Sequence, residues 1–155
     1  APGRPLVNFD LGMFRRNAAK KGVSLSKYYR THPQVFNRSR RSSQASVFNR
    51  LMAARSIHDA SAIESTYWGM FQIGGFNWRK CGCASAGEFA ERMSRSERDQ
   101  LDLFAEFVKS TGLVKHLRSK NWRAFARGYN GPSYAARNYH NRMAASYARH
   151  KKAGD

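Results

Sequence analysis

The chain has 155 residues, 41% of them hydrophobic, which suits one folded domain with its own core and excludes disorder as the default state. It carries 28 Lys and Arg against 10 Asp and Glu, a formal charge of +18 that draws it toward polyanions: nucleic acid, an anionic membrane, or envelope polymers bearing carboxylates and phosphates. No apolar run approaches the ~20 residues of a membrane-spanning helix, and APGRPLVNFD lacks the charged and apolar regions of a signal peptide.

Residues 1–8 read as extended, punctuated by Pro2, Gly3 and Pro5. A helix is predicted from Phe9 or Asp10 to Lys21, ending at Gly22 as a C′ residue. Ser24 or Ser26 then caps a short helix that stops before Pro33. Residues 37–43 form a basic loop that includes NRSRR (Asn37 to Arg41), and Val47, Phe48, Leu51 and Met52 give a helical apolar stripe from about Ser43 to Ile57. Asp59 is a candidate cap for a helical turn before Ile63.

The stretch ESTYWGMFQIGGFNW, Glu64 to Trp78, fits neither a clean helix nor a clean strand, and at most a small hairpin lies around Tyr67 to Ile73. Beyond it, Ser85/Glu88 and Ser94/Glu97 read as capping boxes, the second opening a helix with Leu101, Phe104, Ala105 and Val108 on one face and Gly112 at its end. Short helices are predicted for Leu113 to Lys120 and Asn121 to Arg127, a turn at GYNGP (Gly128 to Pro132), and a final helix over about Ser133 to Lys152 with Tyr139, Met143 and Tyr147 in register. That helix carries the basic run ARHKK. The predicted class is α+β, predominantly α-helical with a minor β-hairpin. No repeat or linker divides the chain, so 1–155 is read as a single domain.

Cys81 and Cys83 stand in CGC. A C-x-C disulfide closes a short, strained ring, and one such pair lacks the second pair of ligands that zinc needs, so free thiols are expected. The five histidines show no ligand spacing. No metal and no cofactor are expected.

Two segments combine aromatic rings, an amide and turn glycines. In YWGMFQIGG, Gly69 suits positive φ or a close approach, and Gln72 offers a donor and an acceptor at a partly apolar surface. The second is ARGYNGPSY, Ala126 to Tyr134. Rings beside amides are what a sugar groove requires, since apolar sugar faces pack on aromatics while hydroxyl and N-acetyl groups take polar contacts. The alternative for each is a core turn or an ordinary interhelical loop. If the two share one cleft, Tyr67, Trp68, Phe71, Gln72, Tyr129 and Asn130 line it.

The sequence resembles the N-acetylmuramidase domains of phage endolysins and of some bacterial antibacterial effectors. The resemblance rests on GRPLVNFDLGMF, KYYRTHP, AIESTYWGMFQIGGFNW, FAEFVKSTGL and NWRAFARGYNGPSYA, in the family's order and over nearly the whole chain. GMFQI is also similar to the G-L-M-Q-I segment that lines the sugar cleft of lysozyme-like transglycosylases. The resemblance implies a lysozyme-like fold and cleavage of the β-1,4 bond between N-acetylmuramic acid and N-acetylglucosamine. It further implies that the family's principal acid, a glutamate, lies on a helix upstream of the G-R-P segment. On that expectation the chain is a C-terminal domain of a longer protein that lacks its first helix here.

Glycosidic cleavage needs a proton donor and usually a second carboxylate. Glu88, Glu91, Glu97, Asp99, Asp102 and Glu106 fall in the capped helical region and read as caps and solvated faces, and Asp155 is terminal. Asp10 and Glu64 remain as the candidate catalytic residues. Asp10 falls on an acidic position of the resembling motif, one methylene shorter than the usual glutamate, with Gly12 in place of a histidine; its alternative role is a helix N-cap. Glu64 enters the glycine–aromatic segment; its alternative role is a helix-end carboxylate near Arg55 or Arg127. The expected partner is the peptidoglycan glycan strand, met in the periplasm or wall after export or phage lysis. An immunity protein is a further candidate partner. No specific nucleic acid, no membrane insertion and a monomer are expected. A non-catalytic wall-binding module, or a nucleic-acid-binding basic domain, are the competing classes.

Overall fold

The computed structural model describes residues 4–37 and 42–154, so most of the basic run NRSRR lies outside the described residues. The chain divides into two compact units, Ala1–Phe107 and Val108–Asp155, with the boundary inside a helix rather than at a linker.

The first unit is built around a small antiparallel sheet with strand order β1-β2-β3: β1 is Val7–Phe9, β2 Thr66–Trp68 and β3 Ile73–Gly74. The predicted hairpin is present, and the extended N-terminal residues add a third strand to it. The register pairs Val7 with Trp68 and Phe9 with Thr66. Side chains alternate across a strand. Val7, Phe9, Thr66 and Trp68 are therefore buried together on one face, while Asn8 and Tyr67 share the opposite face. The Gln44 side chain flanks β1, accepting from Val7 N at 3.1 Å and donating to Val7 O at 3.3 Å.

Helix α1 (Leu11–Lys20) starts where predicted: the Asp10 carboxylate accepts from Met13 N at 2.8 Å, and Phe14 and Ala18 are buried. Gly22 closes it at φ +72°. The next segment differs from expectation. A single 3-10 turn, Ser26–Tyr28, has no side-chain cap, and α2 (Pro33–Phe36) begins at Pro33 instead of ending before it. Proline suits a first helical position because the N–H it lacks has no partner there. In α3 (Gln44–Ile57), capped by Ser43, the buried residues are Leu51, Ala54 and Ile57. Met52, expected in the stripe, is exposed. Helix α4 (Asp59–Glu64) is capped by His58, whose Nδ1 accepts from Ser61 N at 3.2 Å. Asp59, the expected cap, pairs instead with Arg55 at 2.6 Å.

A 3-10 segment, Gly75–Cys81, leads to α5 (Ala86–Arg95). Cys81 and Cys83 are free, as expected, and buried. Burial and the neighbouring Cys83 push the Cys81 thiol up to about 12, so it stays protonated and unreactive. Ser85 caps α5 through Glu88 N, and the Glu88 carboxylate reaches back to Ala84 N at 2.7 Å. The cap of α6 (Glu97–Ser110) is Ser96, not Ser94: Ser96 Oγ accepts from Asp99 N at 3.0 Å, while Ser94 lies inside α5 and donates to Ala90 O. The face of α6 buried in this unit is Gln100, Leu103 and Phe107, and Leu101 is exposed. The 100/103/107 and 101/104/105/108 readings share the same helical period. Gln100, which donates to Met93 O and accepts from Met70 N, marks the face that turns inward.

The second unit holds α7 (Val114–Arg118), α8 (Trp122–Asn130) and α9 (Tyr139–Ala153). Asn121 caps α8, and Phe125 and Ala126 are its buried residues. Gly128, Tyr129 and Asn130, expected in a turn, continue α8, and the chain turns at Gly131 (φ +77°). Packing explains the helical Gly128: a Cβ there would lie 2.4 Å from Leu113 Cδ2. Helix α9 starts later than predicted, after Asn138 at φ +55°. No helix among the described residues is long and apolar enough to cross a membrane.

Candidate functional site in the first unit

The unusual stretch folds as the end of α4, β2, a tight turn, β3 and the 3-10 segment. Its turn, Gly69 to Gln72, is fixed from two sides. Gly69 has φ +72°, and a Cβ there would stand 2.7 Å from Gln100 Oε1 and 3.0 Å from Met93 Sδ. Only glycine satisfies both the backbone and the space. From below, Gln100 of α6, 8% exposed, accepts from Met70 N and donates to Met93 O, both at 2.9 Å. It is a buried amide with both ends used. Nothing in the local pattern marks this latch, because in sequence Gln100 looks like any surface helix residue.

Gln72 closes the turn at φ +49°, a conformation side-chain-bearing residues rarely adopt. Its backbone N–H and its Nε2 both donate to Gly69 O, at 3.1 and 2.9 Å. The amide is thereby pinned over the turn on an exposed residue, and its oxygen has no partner among the described residues. Backbone strain of this kind gathers where a side chain must be aimed. Phe71, beside it, stacks one ring face on Phe104 at 4.2 Å and 14°. Tyr67 stands half-buried on the outer face of the sheet, opposite Gly74, with the Phe76 ring nearly perpendicular to it and 6.2 Å away between ring centres.

Trp68 departs from expectation. It lies on the inner face, 1% exposed, edge-on to Phe89, with its indole N–H donated to Ile63 O at 3.1 Å. It is a core residue, and no ligand in a groove can reach it. The alternation of the strand decides this, since Tyr67 and Trp68 must face opposite ways.

Glu64 ends α4 with a side chain 19% exposed. One oxygen pairs with Lys21 Nζ at 2.6 Å; the other accepts from Trp78 Nε1 at 3.1 Å. The sequence pointed to Arg55 or Arg127 as the neighbour of Glu64; the observed ion-pair partner is Lys21, the C-cap of α1. Trp78 in turn carries the Arg79 guanidinium 3.9 Å above its ring. Burial pushes the Glu64 carboxyl up, but the hydrogen bonds from Lys21 and Trp78 and the charges of Lys21 and Arg79 outweigh it. The carboxyl is held below its ordinary value of 4.5. Glu64 is therefore an anion at neutral pH, the wrong state for a proton donor.

A pH dependence follows. The unfolded chain binds this proton more readily than the folded one, so stability from the pair is complete above about pH 4.5 and fades as pH falls through the lower folded value. Glu64→Gln is expected to flatten that acid limb in thermal melts taken across it. Equal acid sensitivity of both proteins would contradict the assignment.

Asp10 follows β1, and its backbone N–H donates to Ser65 O at 2.9 Å, which places it alongside the residue after Glu64. One carboxylate oxygen caps α1. A Cβ at position 12 would stand 3.2 Å from Asp10 Oδ1, so Gly12 keeps the surroundings of this carboxylate open. The first unit thus brings Asp10, Glu64, Tyr67, Phe71 and Gln72 onto one connected sheet-and-turn framework.

On the Met70 side of the turn a cavity of about 410 Å³ opens, lined among others by Arg4, Leu6, Met70, Met93 and Glu97. None of the residues singled out from the sequence lines it. Tyr129 and Asn130 belong to the second unit: Tyr129 stacks on Phe125 at 5.7 Å and 10°, and Asn130 is exposed at the end of α8.

A first mutational prediction concerns the latch. Gln100→Ala is expected to cost about 1–3 kcal/mol, because Met70 N–H and Met93 C=O lose their buried partner. Urea unfolding checks this; an unchanged midpoint would mean that water replaces the amide without loss.

The sequence matches the N-acetylmuramidase family over residues 1–151. The fold is similar to the crystal structure of the Burkholderia AP3 phage endolysin, with a TM-score of 0.79 and 33% identity over 99% of this chain. The match covers 58% of that endolysin's own length. No curated protein matches significantly. The architecture, mostly helical with a three-stranded antiparallel sheet, is the lysozyme-like fold of that endolysin. The chain belongs to the N-acetylmuramidase family.

Proposed function

We propose that the chain acts in a peptidoglycan hydrolase that cuts the β-1,4 bond between N-acetylmuramic acid and N-acetylglucosamine and so lyses the bacterial wall. The observation that carries the reading is the family match over nearly the whole chain, with a likeness to a phage endolysin beside it. The strained, exposed Gln72 beside Phe71 supports a glycan contact on this framework.

In this reading Tyr67 and Phe71 offer ring faces and edges to the sugar, and the Gln72 carbonyl accepts from an N-acetyl N–H or a hydroxyl. On the second unit, taken by itself, Tyr129 and Asn130 are the proposed glycan contacts. Trp68 acts only by supporting β2. Glu64, held ionised, stabilises positive charge developing on the sugar or steadies the framework; Asp10 is the carboxylate with the more open surroundings. The principal proton donor is the glutamate that the family resemblance places on a helix before Gly3. The enzyme works as a monomer in the periplasm or wall, with no cofactor, and its +18 charge concentrates it on anionic polymers there. An immunity protein would be its natural inhibitor in an effector setting.

The test measures reducing ends and muropeptide products from purified peptidoglycan. The 155-residue chain is compared with a longer chain carrying the natural preceding residues. The longer chain is expected to release muropeptides with N-acetylmuramic acid at the reducing end. Binding without release by both chains would overturn the hydrolase reading. A second reading, a non-catalytic wall-binding module, is favoured by one observation: Glu64 has both oxygens engaged and Asp10 caps a helix. That same outcome, binding without release, would establish it.

A further inference from the structure

The charge is distributed unevenly. Residues 108–154 contain no Asp or Glu, yet hold eleven of the 28 Lys and Arg. The ion pairs Lys21–Glu64, Arg55–Asp59, Arg95–Glu91 and Arg98–Asp102 all lie in the first unit. Asp155 is the one acidic side chain in the sequence of the second unit, and Arg123, Arg127, Arg142, Arg149, Lys151 and Lys152 form no ion pair among the described residues. On α8, Arg123 and Arg127 are exposed and one helical turn apart. On α9, Arg142 and Arg149 share one exposed face, and Arg149, Lys151 and Lys152 surround the helix end, since successive residues turn by about 100°.

From this we infer that the second unit binds a flexible phosphodiester chain without bases, of the polyol-phosphate class. Three features select that partner. The cations round the end of α9 face several directions over Tyr147 to Lys152, all exposed, so a chain that wraps meets more of them than a plane does. Among the described residues of this unit, Tyr147, 38% exposed, is the one large hydrophobic side chain at the surface, and Lys120 and Trp122 lie against its ring. An apolar face for insertion into lipid is thus missing among those residues. Two further rings that could stack on bases are engaged, Tyr129 on Phe125 and Tyr134 on His140, and Tyr139 is half-buried. Arginine, frequent here, matches phosphate oxygens with paired N–H donors. This surface is independent of glycan cleavage and stands or falls without it.

The experiment uses the full 155-residue chain and labelled inorganic polyphosphate, followed by fluorescence anisotropy across a salt series. The variant is Arg142→Ala, Arg149→Ala, Lys151→Ala and Lys152→Ala together. Its control removes the same charge from the first unit at the exposed Arg15, Arg16, Lys20 and Arg30. The α9 variant is expected to bind at least ~10-fold more weakly, with a slope of log affinity against log salt smaller by about 3, as four lost phosphate contacts require. The control should bind within about 3-fold of the parent, as long-range screening allows. Should the α9 variant melt early, Lys151→Gln with Lys152→Gln replaces it, with half the slope change expected. Equal losses in the control would overturn the inference. So would tighter binding to oligothymidylate, to phosphatidylglycerol vesicles or to polyglutamate at equal charge.

Discussion

Trp68→Ala is expected to lower stability by about 3–5 kcal/mol, among the largest effects of any single change in the chain. The indole is fully enclosed, lies edge-on to Phe89 and gives its N–H to Ile63 O. Truncation leaves a cavity the size of a bicyclic ring and strips a buried carbonyl of its donor. At ~2–4 °C per kcal/mol for a chain of this size, the melting temperature should drop by about 6–20 °C. Trp68→Phe should recover most of the packing but not the hydrogen bond. The two variants together separate a core role from a sugar-contacting role: residual glycan binding, measured well below both melting temperatures, should be unchanged. Normal stability with lost binding would return Trp68 to the groove.

The second large effect is expected at Gly75. A Cβ there would stand 1.9 Å from Ile63 O and 2.7 Å from Ile63 C, a collision with backbone that no rotamer change relieves. Gly75→Ala must push the 3-10 segment away from the end of α4. That shift also strains the Trp68 hydrogen bond to the same Ile63 carbonyl, and the Trp78 bond to Glu64 one residue on. We expect a loss at or above the top of the ~1–3 kcal/mol range of overpacked sites. Denaturant unfolding measures it. A midpoint equal to the parent's would show that the segment moves freely and that Glu64 is not held by it.

Particular residues explain how much of this was legible in the sequence. The capping box at Ser85 is legible in the sequence, and the helix starts near Asp10 and Ser43 fall within a residue or two of the predicted ones, with the cap at Ser43 itself unread. The rule failed where two serines competed: Ser94 and Ser96 both precede acidic residues, and the break between α5 and α6 chose Ser96. The GYNGP turn was misplaced because Gly128 serves close packing on Leu113, not a turn. The site was legible as composition and illegible as orientation. Rings and an amide in one stretch pointed to a sugar groove, but only strand pairing tells that Tyr67 faces out and Trp68 faces in. Long-range partners such as Lys21 for Glu64 and Gln100 for Met70 lie 43 and 30 residues away in sequence, beyond any local pattern.

The central claim is that the turn carrying Gln72, with Tyr67 and Phe71 around it, holds murein glycan. Titration of an N-acetylglucosamine–N-acetylmuramic acid oligomer into the folded chain, followed by calorimetry, tests it most directly. Gln72→Ala and Tyr67→Ala should each weaken binding by about 5–30-fold, as loss of ~1–2 kcal/mol of contact implies, when measured well below the melting temperature of each variant. Binding that is indifferent to both substitutions would contradict the account.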